Sequence, residues 1–424
     1  MKAKYRKAIG IVIAFVLVYL GLSHIKGIRY EIGRITYRLS EAAGIITEGV
    51  PDVTIVCGTK GFNPYFPDVC KSSDGLLAAY YWNKMHAPLK LGDPLGNIML
   101  VHGSSDGESW GTPEPLISQQ TLIEWGVDVW VDEAGVIYNN QTDAIEHNAQ
   151  FAVEARDPNL QMLKDGKILL TFFTRLPDAS KKTDSDDYYT YGGTYITVSY
   201  DDGLTWEKPE QITSSLLDSG CAKRGNIAEF PNGDLLIPLY GSNSAHPEIF
   251  LTAAVRGRFV DNAFQVVEEY HESAFDDSTG LFRDGDTEVS FLYFGGKTYA
   301  FARSSGLFCV SDDEGKTWKK ITDFQGTDER NIMQPYLIPL GEHMVLINWT
   351  ERLSAENRAV FGKLYDPTQS WNNYPEMLIF SDRYGVDMGD PSSVLLDNNV
   401  VFTIFYDTGI GQLAGMFNSV SDLS

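Results

Sequence analysis

The stretch Ser199-Tyr200-Asp201-Asp202-Gly203-Leu204-Thr205-Trp206 returns as Ser311-Asp312-Asp313-Glu314-Gly315-Lys316-Thr317-Trp318, so the pattern Ser-x-Asp-x-Gly-x-Thr-Trp is met twice at every fixed position. A looser third copy, Gly103-Ser104-Ser105-Asp106-Gly107-Glu108-Ser109-Trp110, keeps the Gly, a hydroxyl residue and the Trp. Recurrence of this kind marks a repeat architecture. The residue types describe the tip of a β-hairpin. Ser and Asp side chains bond backbone amides inside the turn, Gly takes positive φ, and Trp covers the strands below.

A second repeat lies beneath the first. One apolar strand enters a turn and another leaves it at Asp74-Gly75, Asp165-Gly166, Asn232-Gly233, Gly295-Gly296, Glu342-His343 and Asn398-Asn399. All but Glu342-His343 place Asn, Asp or Gly at both central positions, which predicts two-residue type I′ turns. Each hairpin is followed by one or two further strands, giving six units of four. The Trp-bearing stretches follow hairpins one, two and four, between third and fourth strands. The last unit ends after a third strand at Gln412–Phe417, and the early strand Val53–Cys57 can supply its fourth. Closing the ring in this way protects the sheet edges. The expectation is an all-β, six-bladed β-propeller over residues 51–424.

Tyr, Phe and Trp are abundant and Gly reaches 39, which suits aromatic strands punctuated by turns. Before the propeller, Lys2, Lys4, Arg6 and Lys7 precede an apolar run from Ala8 to Leu22. We read residues 1–7 as a cytoplasmic basic segment and 8–25 as a signal-anchor or signal-peptide helix. Residues 26–50 read as a helical linker, because Ile32, Ile35, Leu39, Ala43 and Ile46 follow helical spacing. The propeller is thus expected outside the cytoplasm, membrane-tethered by one pass or secreted after cleavage. A polar insert from Pro177 to Tyr191 reads as a lip over the ring.

The formal net charge is −23, and all six Lys and Arg of residues 1–30 lie where there is no acid. The remainder carries 28 basic and 57 acidic side chains. That balance argues against nucleic acid, and against anionic lipid contacts beyond the N-terminal helix. A monomer is expected. Cys57, Cys70, Cys221 and Cys309 fit no metal spacing, and no cofactor is expected. Cys57 and Cys70 are the pair nearest in sequence for a disulfide; four free thiols are the alternative.

Hairpin geometry places the candidate site. Residues eight positions before each turn gather at the ring face opposite the turns: Phe66, Asp157, Arg224, Thr287, Gln334 and Asp390, with Asp68, Arg156 and Glu288 adjacent. Returning strands bring Tyr81, Trp82, Tyr240, Arg303, Trp349, Glu351, Tyr406 and Asp407 to the same face. Carboxylates, arginines and aromatics converging in one mouth are what a sugar site requires. Asp68, Asp157, Glu288 and Asp390 form the pool for proton transfer and nucleophilic attack, with Asp157 or Asp68 as acid and Asp390 or Glu288 as nucleophile or its support. Each also has a structural reading, since Asp157 and Asp390 precede Pro and can cap turns, and Glu288 and Arg303 can form a salt bridge.

The octapeptides resemble the Asp box of sialidases and related propellers. In that family these boxes are structural and lie away from the active site. Arg156-Asp157-Pro158 resembles the sialidase Arg-x-Pro motif, whose Arg binds the substrate carboxylate. Glu288 and Arg303 resemble the sialidase Glu and the second Arg of its arginine triad, with Arg330 the nearest candidate for a third. The Arg-x-Pro motif here opens the second unit, and the Tyr-Ser-Asp stretch that carries the sialidase nucleophile reads Asp390-Pro391-Ser392, with Tyr406 on the returning strand as a substitute. The resemblance implies a sialidase-like, exo-acting glycosidase that removes terminal sugars from an extracellular glycan. Arg156, Arg224, Arg303, Arg330, Tyr406, Trp82 and Trp349 are the expected sugar contacts. The alternative is a non-catalytic glycan- or protein-binding propeller at the cell envelope.

Overall fold

The computed structural model describes residues 54–58, 63–84, 93–177, 189–270, 287–303, 305–324, 331–352, 358–381, 387–408 and 411–423. The expected N-terminal helix and linker, and Arg330, lie outside the described residues. Among the described residues no helix is long and apolar enough to cross a membrane.

Strand β1 (Thr54–Gly58) precedes sheet I, made of β2 (Asn63–Lys71), β3 (Leu76–Asn83), β4 (Asn97–Gly103) and β5 (Glu114–Ile117). An insert follows, with helix α1 (Gln119–Trp125), β6 (Trp130–Val131), β7 (Ile137–Tyr138), helix α2 (Gln141–Glu146) and β8 (Gln150–Phe151). Sheet II holds β9 (Glu154–Met162), β10 (Ile168–Pro177), β11 (Tyr189–Ser199) and β12 (Glu210–Ile212). Sheet III holds β13 (Cys221–Ala222), β14 (Ala228–Glu229), β15 (Leu235–Asn243), β16 (His246–Val260) and β17 (Ala263–Tyr270). Sheet IV runs from β18 (Ser290–Phe294) through β19 (Lys297–Phe301) and β20 (Leu307–Ser311) to β21 (Lys319–Asp323). Sheet V has β22 (Ile332–Leu340), β23 (Met344–Arg352), β24 (Arg358–Tyr365) and β25 (Glu376–Ser381), and sheet VI has β26 (Met388–Leu395), β27 (Val400–Asp407) and β28 (Gln412–Ser419). All are antiparallel, and β1 pairs with β28 as the fourth strand of sheet VI, as the sequence predicts.

Burial falls along each sheet. Second strands such as β3 and β27 are almost wholly buried, so they read as apolar runs instead of alternating ones. Fourth strands such as β21 are exposed or half-buried. Apolar cores fill the spaces between I and II, II and III, III and IV, IV and V, and V and VI. A further core joins sheets VI and I, with Phe402, Ile404 and Tyr406 packed against Val69, Leu76 and Tyr80. All four cysteines are free, buried thiols, and no Cys57–Cys70 disulfide forms.

The octapeptides fold as their residue types require. Ser199 Oγ accepts the Gly203 amide at 2.8 Å, and Asp201 accepts the Thr205 amide at 2.8 Å and its hydroxyl at 2.6 Å. Ser311, Asp313, Gly315 and Thr317 repeat those bonds at 2.8, 2.8 and 2.6 Å. In the looser copy the hydroxyl and carboxylate shift by one residue: Ser104 Oγ accepts the Ser109 amide at 3.0 Å, and Asp106 accepts the Glu108 amide at 3.0 Å. Trp318 is 4% exposed and stacks on Phe291 at 5.5 Å, whereas Trp206 is half-buried. Trp318→Ala is therefore expected to cost about 3–5 kcal/mol and Trp206→Ala clearly less. Urea melts check this, and equal losses would contradict the difference in burial.

The turn geometry differs from the sequence expectation. Only Gly295-Gly296 has positive φ at both positions, +58° and +79°, as a type I′ turn demands. At Asp165-Gly166 the Leu163 amide bonds Lys167 O, Gly166 bonds back to Leu163 O, and only Gly166 is left-handed. That is a three-residue loop, a type I turn closed by a left-handed Gly bulge; Phe230–Asp234 repeats it. Asp-Gly and Asn-Gly satisfy both turn types, so the dipeptide alone does not choose.

Candidate active site

Four of the inner strands break their ladders at one place each. In β2, β9, β22 and β26 the register slips at Phe66-Pro67, Asp157-Pro158, Gln334-Pro335 and Asp390-Pro391. Proline has no N–H to give the ladder, so the chain must bulge there. The residue before each Pro takes positive φ, at +55°, +46°, +45° and +54° in that order. Glu288, just ahead of β18, has φ +48°, and sheet III uses Gly225 at +98°. A left-handed backbone at a non-glycine residue costs about 1–2 kcal/mol, and such strain gathers at functional sites. Gly225 is also forced by space, since a Cβ there would lie 2.5 Å from Val289 O.

Four of these left-handed residues are polar, and each leaves a buried oxygen without a hydrogen-bond partner: Asp157 Oδ1, Glu288 Oε2, Gln334 Oε1 and both oxygens of Asp390. Buried polar atoms are ordinarily satisfied, so a set of five around the inner bulges marks a site built for something else. Asp390 is fully buried, with Arg224 Nη2 at 3.6 Å from Oδ2. Burial is the largest influence on its pKa and raises it; Glu288 and Asp157 raise it further, Arg224 and Arg303 oppose, and the result is about 8. Those same four groups are therefore its electrostatic neighbours, contributed by sheets II, III and IV. Glu288 is held by Arg303 in a short ion pair, and the Arg303 side chain is still 31% exposed.

Arg224 acts as a bolt. Its guanidinium donates to Phe66 O at 3.2 Å, Pro67 O at 3.2 Å and Pro158 O at 3.4 Å, tying sheet III to the bulges of sheets I and II. Asp68 is a second bolt. It accepts from the amides of Val69 and Leu160, both at 2.9 Å, from Tyr336 Oη at 2.8 Å, and from Ser392 Oγ and Asn159 Nδ2 through short bonds. Asn159 in turn accepts from the fully buried Lys223. With five donors on it, Asp68 has the surroundings of a structural carboxylate, despite its place in the sequence-derived acid pool.

Arg156 lies over Phe66 and Tyr81, its guanidinium carbon 4.8 and 4.5 Å from their ring centres, with Nε 3.8 Å from Asp157 Oδ1. Tyr406 is buried beside Tyr65 and Phe66 at 5.4 and 5.8 Å between ring centres. Its hydroxyl donates to Asp387 at 3.0 Å, and Asp387 is also ion-paired with Arg358. Burial first, then the Asp387 charge, pushes the Tyr406 phenol well above its ordinary pKa. Trp349 does not reach this centre. It is enclosed between sheets IV and V among Phe301, Phe324 and Phe361, and its neighbour Thr350 occupies the inward face of β23. Trp82 is half-buried against the core between sheets VI and I.

Asp387 and Arg358 were not singled out by the sequence. The hairpin register could have found Asp387, since counting from the Asn398-Asn399 turn sets Met388 opposite Asp407 and Asp387 beside Thr408. Arg358 carried no such signal. Among the described residues, no group of three or more His, Cys, Asp or Glu side chains is arranged to hold a metal ion.

No family model matches the chain. It is 25% identical over 189 residues to an exo-alpha-sialidase of Arthroderma benhamiae, an alignment covering 43% of this chain and 42% of that one. The chain thus matches well under half the length of that relative. A Dyadobacter fermentans protein of unknown function superposes over 86% of this chain and 97% of its own, at TM-score 0.63 and 18% identity. The NanB sialidase from Streptococcus pneumoniae superposes over 91% of this chain and 73% of its own, at TM-score 0.56 and 10% identity. Fold and comparisons together define a nearly all-β protein of sialidase-like architecture. The chain is related to the sialidase superfamily without being a clean match to a true sialidase.

Proposed function

We propose that the six sheets close as the blades of a six-bladed propeller, and that the chain is a sialidase-like, exo-acting glycoside hydrolase working on the terminal sugar of an extracellular glycan. Supporting closure, an apolar core lies between every consecutive pair of sheets, including VI and I, and β1 completes sheet VI. The basic segment and apolar run at residues 2–22 support export and a membrane tether.

The observation that carries the hydrolase reading is Asp390. A buried carboxyl whose two oxygens accept no hydrogen bond and whose pKa is about 8 holds its proton at neutral pH. It is suited to give that proton to a glycosidic oxygen as the bond to the anomeric carbon breaks. This makes Asp390 the acid and turns Asp157 to the opposing role, the reverse of the sequence expectation. Asp157 can take a proton from the attacking water. Tyr406, whose hydroxyl already donates to Asp387, is the other group able to attack the anomeric carbon, passing its proton to Asp387. Arg303 is the most accessible cation of the site and is placed to meet a carboxylate or hydroxyl of the sugar. A binding-only reading has one observation in its favour: Glu288 is already ion-paired with Arg303 and Asp68 is already surrounded by donors.

The test is a screen of the body from Pro51 against nitrophenyl glycosides and an aryl sialoside. Turnover is expected, with kcat/KM falling as pH rises through about 8 and Asp390 loses its proton. A protein that is stabilised by glycans yet cleaves none would favour the binding reading.

A further inference from the structure

We propose that Gln334 is a specificity-determining residue of this site, its side-chain carbonyl accepting a hydrogen bond from a hydroxyl or N–H of the sugar; the inference rests on the sugar-site reading above. Gln334 is 8% exposed, and its Oε1 is buried with no hydrogen-bond partner. Its backbone is left-handed at φ +45° and is followed by Pro335. An amide held both strained and unsatisfied is poor for stability, so a ligand is the natural partner for its free oxygen.

The neighbours fix its place in the ring. Pro335 O accepts from Ser290 Oγ at 2.6 Å, and Ser290 lies two residues beyond Glu288. On the other side, Met333 pairs with Thr350, whose Oγ1 accepts the Asp390 amide at 3.1 Å. Gln334 therefore stands between Glu288 and Asp390. It is the one polar bulge residue that no pH change can charge. A neutral acceptor recognises a donor on the sugar equally before and during bond breaking, so its contribution falls on binding and not on turnover. A site built around such an acceptor also discriminates against sugars that lack the matching donor.

Gln334→Leu keeps the volume and the backbone constraint and removes the acceptor. Three readouts on wild type and variant decide the matter: melting temperature without ligand, steady-state kinetics on the best aryl glycoside of the screen, and retention of fluorescently labelled protein on a glycan array. The inference expects an unchanged or raised melting temperature, a KM at least about tenfold higher with kcat within about threefold, and loss of array binding. A variant that melts several degrees lower, or does not fold, shows a structural role and overturns it, as does unchanged KM and array binding. Wild type that binds sugars without cleaving any would sink the hydrolase reading and leave Gln334 to be judged by array binding. Wild type that neither binds nor cleaves any sugar overturns both.

Discussion

Asp390→Asn is expected to lower kcat by about a thousandfold while leaving the protein at least as stable as wild type. Asn matches the shape of a protonated Asp and carries no charge, so it keeps the packing and loses only the transferable proton. The expected stability has a pH signature. Asp390 has an ordinary pKa of 3.8 in the unfolded chain and about 8 when folded, because burial disfavours its charge. The folded state thus binds the proton more tightly. Its contribution is fully present below about pH 4, declines as pH rises towards about 8, and is constant above that. Wild type should therefore lose more stability between pH 5 and 8 than Asp390→Asn does. Urea melts of both proteins at the two pH values, with kcat on the same preparations, provide the check. A variant that keeps its turnover, or that is destabilised by several kcal/mol at pH 8, would remove Asp390 from the acid role.

Asp68→Ala is expected to do the opposite, destabilising the fold by about 4 kcal/mol or more. The carboxylate gathers donors from sheets I, II, V and VI, and its loss leaves the Tyr336 and Ser392 hydroxyls, the Asn159 amide and the Leu160 N–H without this acceptor in a dry interior, while the Val69 N–H keeps only Ser392 Oγ. Lys223, fully buried and held well below its ordinary pKa by that burial, would lose the Asp68 charge that opposes the shift as well. Asp68→Asn keeps one acceptor oxygen and should lose less. Equilibrium unfolding of the three proteins measures the order directly. An Ala variant as stable as wild type would mean that Asp68 is not a bolt.

Much of the fold was legible because its determinants are local. In the Ser-x-Asp-x-Gly-x-Thr-Trp turns the hydrogen bonds of the fixed Ser and Asp side chains stay within the eight residues, so residue type predicts geometry. The six hairpins were visible for the same reason, and the number of strands left over implied that β1 joins β28. The type of turn was less legible, because Asp-Gly fits both a type I′ turn and a type I turn with a left-handed bulge. Trp349 was placed at the mouth by its distance from a turn, but side chains alternate along a strand and it fell on the packing face of β23.

The sequence by itself determined which residues reach the inner ends of the sheets: Asp68, Arg156, Asp157, Arg224, Glu288, Arg303, Gln334, Asp390 and Tyr406 all follow from hairpin spacing. Only the tertiary structure decided what each carboxylate does there. Asp68 follows the bulge proline of its strand and Asp390 precedes that of its own, and Asp68 is saturated by donors while Asp390 accepts no hydrogen bond. The reason is that the partners are not local. The Ser392 hydroxyl that satisfies Asp68 comes from 324 residues away, and the groups that tune Asp390 come from three other sheets. Hydrogen-bond satisfaction and desolvation depend on which atoms are brought within about 3 Å, and across sheets that is set by packing.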